Sequence, residues 1–188
     1  MPYAVELELG GAAGDAVRDL WRALSALSAL GATWLAQSGA SPHVSLAIWE
    51  TIDLPRFDAE LSRFAAETAP IGITFDGTGM FPGGTVFLRP APNPTLRDVQ
   101  RHVHARFASL GGDAWPYYLP EAWIPHCTLA MDVPPDRVTE ALAVAGRGPL
   151  PITGRLEYVG IVEFRPVRVL ARYPLAGDAA RSSVISAS

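Results

Sequence analysis

Apolar and polar positions alternate at residues 5–9, where Val5, Leu7 and Leu9 are separated by Glu6 and Glu8, and that two-residue period predicts a β-strand. From Asp15, which reads as a helix cap, the period lengthens. Val17, Leu20, Trp21, Leu24 and Leu27 form a helical stripe that Gly31 closes. Val44, Leu46 and Ile48 alternate with Ser45 and Ala47 in a second strand, after which Asp53 and Pro55 open a helix with Phe57, Leu61 and Phe64 inside. Residues 71–75 and 85–88 read as strands separated by a glycine-rich turn at 77–84. Asn93 and Pro94 start a helix whose core face is Leu96, Val99, Val103, Phe107 and Leu110, ending at Gly111 and Gly112. An aromatic, proline-punctuated loop at 115–123 leads into another strand, a short helix at 135–145 and two closing strands at 156–164 and 167–173.

Two of the strands carry the same pattern. Pro42-His43-Val44-Ser45-Leu46-Ala47 is matched by Pro125-His126-Cys127-Thr128-Leu129-Ala130. On a strand, residues i and i+2 share a face, so each copy sets an imidazole beside a hydroxyl while Leu46 and Leu129 point the other way. Each histidine strand is followed by a helix. The expected fold is therefore α+β: two similar lobes of antiparallel sheet with helices packed outside, related by a pseudo-two-fold, with a central groove carrying both motifs. Residues 1–175 read as one bilobal domain and 176–188 as a flexible C-terminal tail.

Composition narrows the chemistry. The 188-residue chain is 49% hydrophobic, enough for a core, and its formal net charge of −4 argues against binding long nucleic acid through counterion release. All 15 basic residues are arginines, which removes any Schiff-base or P-loop lysine mechanism. Cys127 is the single cysteine, expected to be packed in the interior, and it leaves no disulfide framework and no zinc knuckle. Without a basic, apolar N-terminal leader or a membrane-length apolar run, a cytoplasmic monomer is expected, and the arginine, alanine and proline usage suggests a bacterial source.

A histidine near its ordinary pKa of about 6.5 serves as acid or base at neutral pH, so two facing imidazoles can take a proton from water and give one to a departing alkoxide. Ser45 and Thr128 would donate hydrogen bonds to the non-bridging oxygens of a phosphoryl group as charge builds there. That scheme needs no metal and no cofactor. Other residues have plainer readings. His102 and His104 lie two apart on a helix, where side chains diverge, and read as a solvated face. Phe81, Tyr117 and Tyr118 are candidates for stacking on a base, against an equal claim from packing. Gly77-Thr78-Gly79 lacks the spacing of a phosphate-binding loop.

Paired His-x-Ser/Thr motifs in two half-chains resemble those of the two-histidine (2H) phosphoesterase superfamily, which contains bacterial 2′-5′ RNA ligases and cyclic nucleotide phosphodiesterases. The resemblance covers roughly residues 3–175. It implies that His43 and His126 are catalytic, with His126 activating water and His43 protonating the leaving oxygen, and that Ser45 and Thr128 bind phosphate. It implies metal-independent opening of a 2′,3′-cyclic phosphate, at an RNA terminus or on a small nucleotide, to a 2′-phosphate, and in some members reversible 2′-5′ joining of RNA ends. One position departs: many RNA-ligase-like members carry arginine directly after the second motif, where this chain has Met131. Arg89, Arg165 and Arg168 are the candidates to meet phosphate charge instead. The alternative is a non-catalytic nucleotide or RNA-end binder with a degenerate groove.

Overall fold

The computed structural model describes residues 1–26, 32–164 and 167–177. Leu27, Gly31 and Arg165, named above, lie outside the described residues, as does the tail from 178 onward.

The first strand, β1 (Tyr3–Leu9), buries Val5, Leu7 and Leu9 on one face and turns Ala4, Glu6 and Glu8 to the other. Helix α1 (Gly11–Ser25) follows at once, with Gly10 at its N-cap, so the helix begins ahead of the cap expected at Asp15. Asp15 sits inside the first turns and pairs with Arg18 instead, at 3.0 Å. The core stripe of α1, Val17, Leu20, Trp21 and Leu24, is buried as the spacing predicts. At its start α1 presses on the sheet: a Cβ on Gly154 would lie 2.3 Å from that of Ala13. A short helix the periodicity did not signal, α2 (Ala32–Gln37), precedes β2 (His43–Trp49).

Helix α3 (Leu54–Glu67) is capped by the Asp53 carboxylate, which accepts from the Arg56 amide, and buries Phe57, Leu61 and Phe64. Strand β3 (Ile71–Phe81) runs further than its pattern suggested. Most of the glycine-rich segment is strand, and the turn to β4 (Thr85–Pro90) is confined to Pro82, Gly83 and Gly84, the last two at φ 90° and 82°. The strand glycines admit a neighbour: a Cβ on Gly79 would stand 2.6 Å from the Phe87 ring. Helix α4 (Pro94–Phe107) is capped by Asn93, whose side chain accepts from the Leu96 amide at 3.0 Å. A single 3-10 turn (Pro116–Tyr118) punctuates the aromatic loop before β5 (Cys127–Ala130). Then come α5 (Val138–Gly146), β6 (Ile152–Glu163) and β7 (Arg168–Pro174).

All strand pairs are antiparallel, in the order β2-β1-β6-β3-β4-β5, with β7 beside β6. The long strand β6 pairs with β1 along one edge, and with β3 and then β7 along the other. The two halves therefore share a strand, and the sheet is continuous. The histidine strands β2 and β5 close the two ends of this path, yet they pack against each other. The sheet must curl to bring them together. On that side the apolar residues of both motifs, Leu46 and Leu129, are fully buried.

His104 departs from its expected place. It is half-buried with its ring 5.6 Å from that of Trp49, while His102 is exposed as expected.

Candidate active site

Each histidine is set by the proline before it. A residue preceding proline is held extended, and in both motifs its carbonyl turns back onto the imidazole: Nδ1 of His43 lies 2.7 Å from the Ser41 oxygen, and Nδ1 of His126 lies 2.7 Å from that of Ile124. A carbonyl only accepts, so each Nδ1 carries a proton and each Nε2 is left for chemistry. His126 stands one residue ahead of β5, which begins at Cys127. The edge of Phe81 packs on its ring at 4.8 Å between centroids, and Phe87 at 5.4 Å.

The two motifs line one groove of about 760 Å³, which receives His43, Ser45, His126 and Thr128 together. Indole donors from opposite halves fix the backbone beneath it. Trp123 donates to the Ser45 carbonyl at 3.0 Å, and Trp21 to the Thr128 carbonyl at 2.9 Å. Tyr118 enters the groove beside Ser45. Burial first, then the nearby Glu6 charge, push the Tyr118 phenol up to about 12, so it remains protonated.

Burial holds His126 below the ordinary histidine range, and the charge of His43 adds to the effect. The Cys127 thiol behind it is pushed up to about 12 by burial, as expected of a packed side chain. Phe81 lies beside the site, on His126. Tyr117 does not reach it and is 82% exposed. Arg89 faces Asp76 at 3.8 Å and Arg168 pairs with Glu163 at 3.2 Å, both away from the groove lining. Among the described residues no arginine lines the groove. Arg89 and Arg168 thus stand outside the groove lining, each beside a carboxylate on a neighbouring strand. Met131 lines the groove at that position, followed by Asp132 at φ 52°.

Two carboxylates not singled out from sequence, Glu6 and Glu8, line the groove from β1, and an apolar wall of Val162, Phe164, Val167 and Val169 joins them. Oε1 of Glu6 is 3.3 Å from Nε2 of His43, and Glu8, 3% exposed, is bound by Arg172 at 2.8 Å. The strict alternation of residues 5–9 placed the two carboxylates on one face but did not say that a groove covers it. Among the described residues no cluster of three or more His, Cys, Asp or Glu is arranged to hold a metal ion. No helix there is long and apolar enough to cross a membrane.

The sequence profile of the 2′-5′ RNA ligase superfamily matches residues 16–167. The chain belongs to that superfamily. Its fold is shared by TT0787 of Thermus thermophilus, at TM-score 0.63 and 20% identity over 95% of this chain and 100% of that one. Escherichia coli LigT complexed with NADP+ superposes at TM-score 0.58 and 15% identity, covering 92% and 96% of the two chains. LigT complexed with 3′-AMP gives 0.54 and 14%, covering 93% and 99%. At these identities the likeness is one of fold. No curated protein matches the sequence. The α+β architecture expected from the superfamily, an antiparallel sheet with outer helices, is present along the whole described chain.

Proposed function

We propose that this protein is a metal-independent phosphoesterase that opens 2′,3′-cyclic phosphates, at RNA ends or on small nucleotides, to 2′-phosphates. The observation that carries the reading is the matched anchoring of the two imidazoles. Both Nδ1 atoms are taken up at 2.7 Å by backbone carbonyls, which leaves two Nε2 atoms at one groove with a hydroxyl beside each.

In this reading His126, neutral and with its Nε2 lone pair free, takes a proton from water as the water oxygen bonds to phosphorus. The bond from phosphorus to the 3′ oxygen breaks, and His43 gives that oxygen its proton. Ser45 and Thr128 donate to the non-bridging oxygens. One water is consumed and both histidines return to their starting states through solvent. With a 5′-hydroxyl attacking in place of water, the same groups would open the cyclic phosphate to a 2′-5′ phosphodiester, the 5′ oxygen bonding to phosphorus as the bond to the 3′ oxygen breaks, which is the ligation that the superfamily's name describes. Nucleotide complexes of LigT support a nucleotide as the ligand of a groove of this fold.

The test is to incubate the purified protein, with EDTA present, with 2′,3′-cyclic AMP and with an oligoribonucleotide ending in a cyclic phosphate, and to identify the product. Formation of the 2′-phosphate supports the proposal. Tight binding of a 2′-phosphate with no turnover of either substrate would favour the binder reading, and activity abolished by the chelator would point to a metal enzyme.

A further inference from the structure

Glu6 is a groove carboxylate with no part in the hydrolysis described above. It lies opposite Ser45 in the β1–β2 register, and its side chain is 12% exposed. Its Oε1 sits 3.3 Å from Nε2 of His43, the very nitrogen left for chemistry. That distance is longer than the 2.7 Å of the Nδ1 contact with Ser41, so Glu6 stands beside the Nε2 without a short hydrogen bond to it. His126 has the same Nδ1 anchor, and among the described residues no carboxylate pairs with it. The two histidines are alike in their backbone anchors and unlike in their carboxylate neighbours.

The groups around Glu6 come from every neighbouring element. Glu8 follows on β1 with its charge taken by Arg172 of β7, Tyr118 enters from the 3-10 turn, His126 shares the groove, the buried Cys127 lies within reach of the Glu6 charge, and His43 touches it from β2. Tyr118 and Cys127, both pushed up to about 12, hold their protons throughout the neutral range. Burial pushes the Glu6 carboxyl up from its ordinary range, His43 opposes that, and Glu8 adds to it. His43 is the titratable group in direct contact with Glu6.

We propose that Glu6 is a positioning residue whose carboxyl group and the His43 imidazole together hold the one proton that His43 passes to the leaving oxygen, which sets His43 apart as the acid and His126 as the base. Whether arranged as imidazolium beside carboxylate or imidazole beside carboxylic acid, the pair carries that proton as a unit. As the phosphorus–oxygen bond breaks the proton goes to the leaving oxygen, and the pair regains one from solvent while His126 releases the one it took from water. The catalytic half of this inference rests on the phosphoesterase reading; the pairing itself does not.

Two measurements on the full chain separate the two. The first needs no substrate: the ring nitrogens of His43 are followed by NMR across pH in the wild type and in Glu6→Gln. The pH at which the pair releases its proton is expected to fall by about one unit in the variant, the size of effect a neighbouring opposite charge has. An unchanged His43 titration in a folded Glu6→Gln overturns the proposal and leaves the phosphoesterase reading standing. The second follows hydrolysis of 2′,3′-cyclic AMP. Glu6→Gln is expected to lose about tenfold in kcat at neutral pH with KM unchanged, to regain it at lower pH, and to be partly rescued as Glu6→Asp. A loss equal at every pH would mark Glu6 as merely structural and overturn the proposal. If the wild type turns over no cyclic phosphate, the phosphoesterase reading falls and the NMR result alone decides the pair.

Discussion

The indole N–H of Trp123 donates to the backbone carbonyl of Ser45 at 3.0 Å, across the seam between the two histidine strands. Trp21 makes the converse bond to Thr128 at 2.9 Å, so each motif is held in place by a tryptophan from the other half of the chain. The groove is thus built from contacts that join its two sides, and hydrogen-bonded pairing between β2 and β5 is not what aligns the hydroxyls.

Replacing Trp123 by Phe keeps most of the buried ring and deletes the donor. Removing one partner of a buried hydrogen bond costs about 1 kcal/mol or more. Thermal denaturation should show a lowered Tm, and turnover of a cyclic phosphate should fall as the Ser45 strand loosens. A variant equal to wild type in both would show that the clamp is incidental.

Ser45→Ala and Thr128→Ala should each reduce kcat by about a hundredfold, the usual cost of losing one donor to a developing anionic oxygen. Arg89→Ala and Tyr117→Ala, at residues the fold places outside the groove, should stay within about two-fold of wild type. Steady-state kinetics on one cyclic nucleotide checks both statements.

Acid should weaken this fold through its buried imidazoles. His126 is held below 6.5 chiefly by burial, and His104 likewise, so both are neutral when folded at a pH where the unfolded chain takes up protons. Their contribution to stability is fully present above 6.5 and is lost as the pH falls through the folded values. Urea denaturation at a series of pH values should show stability declining below 6.5, and His104→Leu should flatten part of that slope. For the same reason the acid limb of kcat/KM, which reports the free base His126, should lie below 6.5.

Much of the layout was legible because it depends on local chemistry. Asp53 and Asn93 announced their helices, since a short polar side chain beside an open helix end has few better uses. The start of α1 was misplaced because residues 11–14, all Gly and Ala, carry no periodic signal ahead of Asp15. Gly77 and Gly79 of β3 read as part of a turn, whereas they make room for Arg89 and Phe87, partners several residues away on the next strand. The same limit hid Glu6. A carboxylate alternating with apolar residues looks like a solvent face, and only the curl that carries β2 and β5 together turns that face into a groove wall. The Pro-His pairs were visible as a repeat, but their reason, a carbonyl presented to Nδ1, is a three-dimensional one.

Arg172 holds Glu8 at 2.8 Å and lies over the Tyr158 ring, its guanidinium carbon 3.4 Å from the ring centroid. Arg172→Ala should cost about 1–3 kcal/mol, because it leaves a carboxylate that is 3% exposed without its ion pair. Adding Glu8→Gln to that variant should recover most of the loss. Denaturation of the single and double variants measures the coupling, and additive effects would show that the pair does not act as one.

If two imidazoles from different halves of the chain act on one phosphorus atom, each must be needed for turnover. The decisive experiment is hydrolysis of 2′,3′-cyclic AMP by the wild type, His43→Ala, His126→Ala and the double variant. The expected result is a 2′-phosphate product from the wild type, a loss of about a hundredfold or more in each folded single variant, and a double variant little worse than either. Undiminished turnover after removal of either histidine would contradict it.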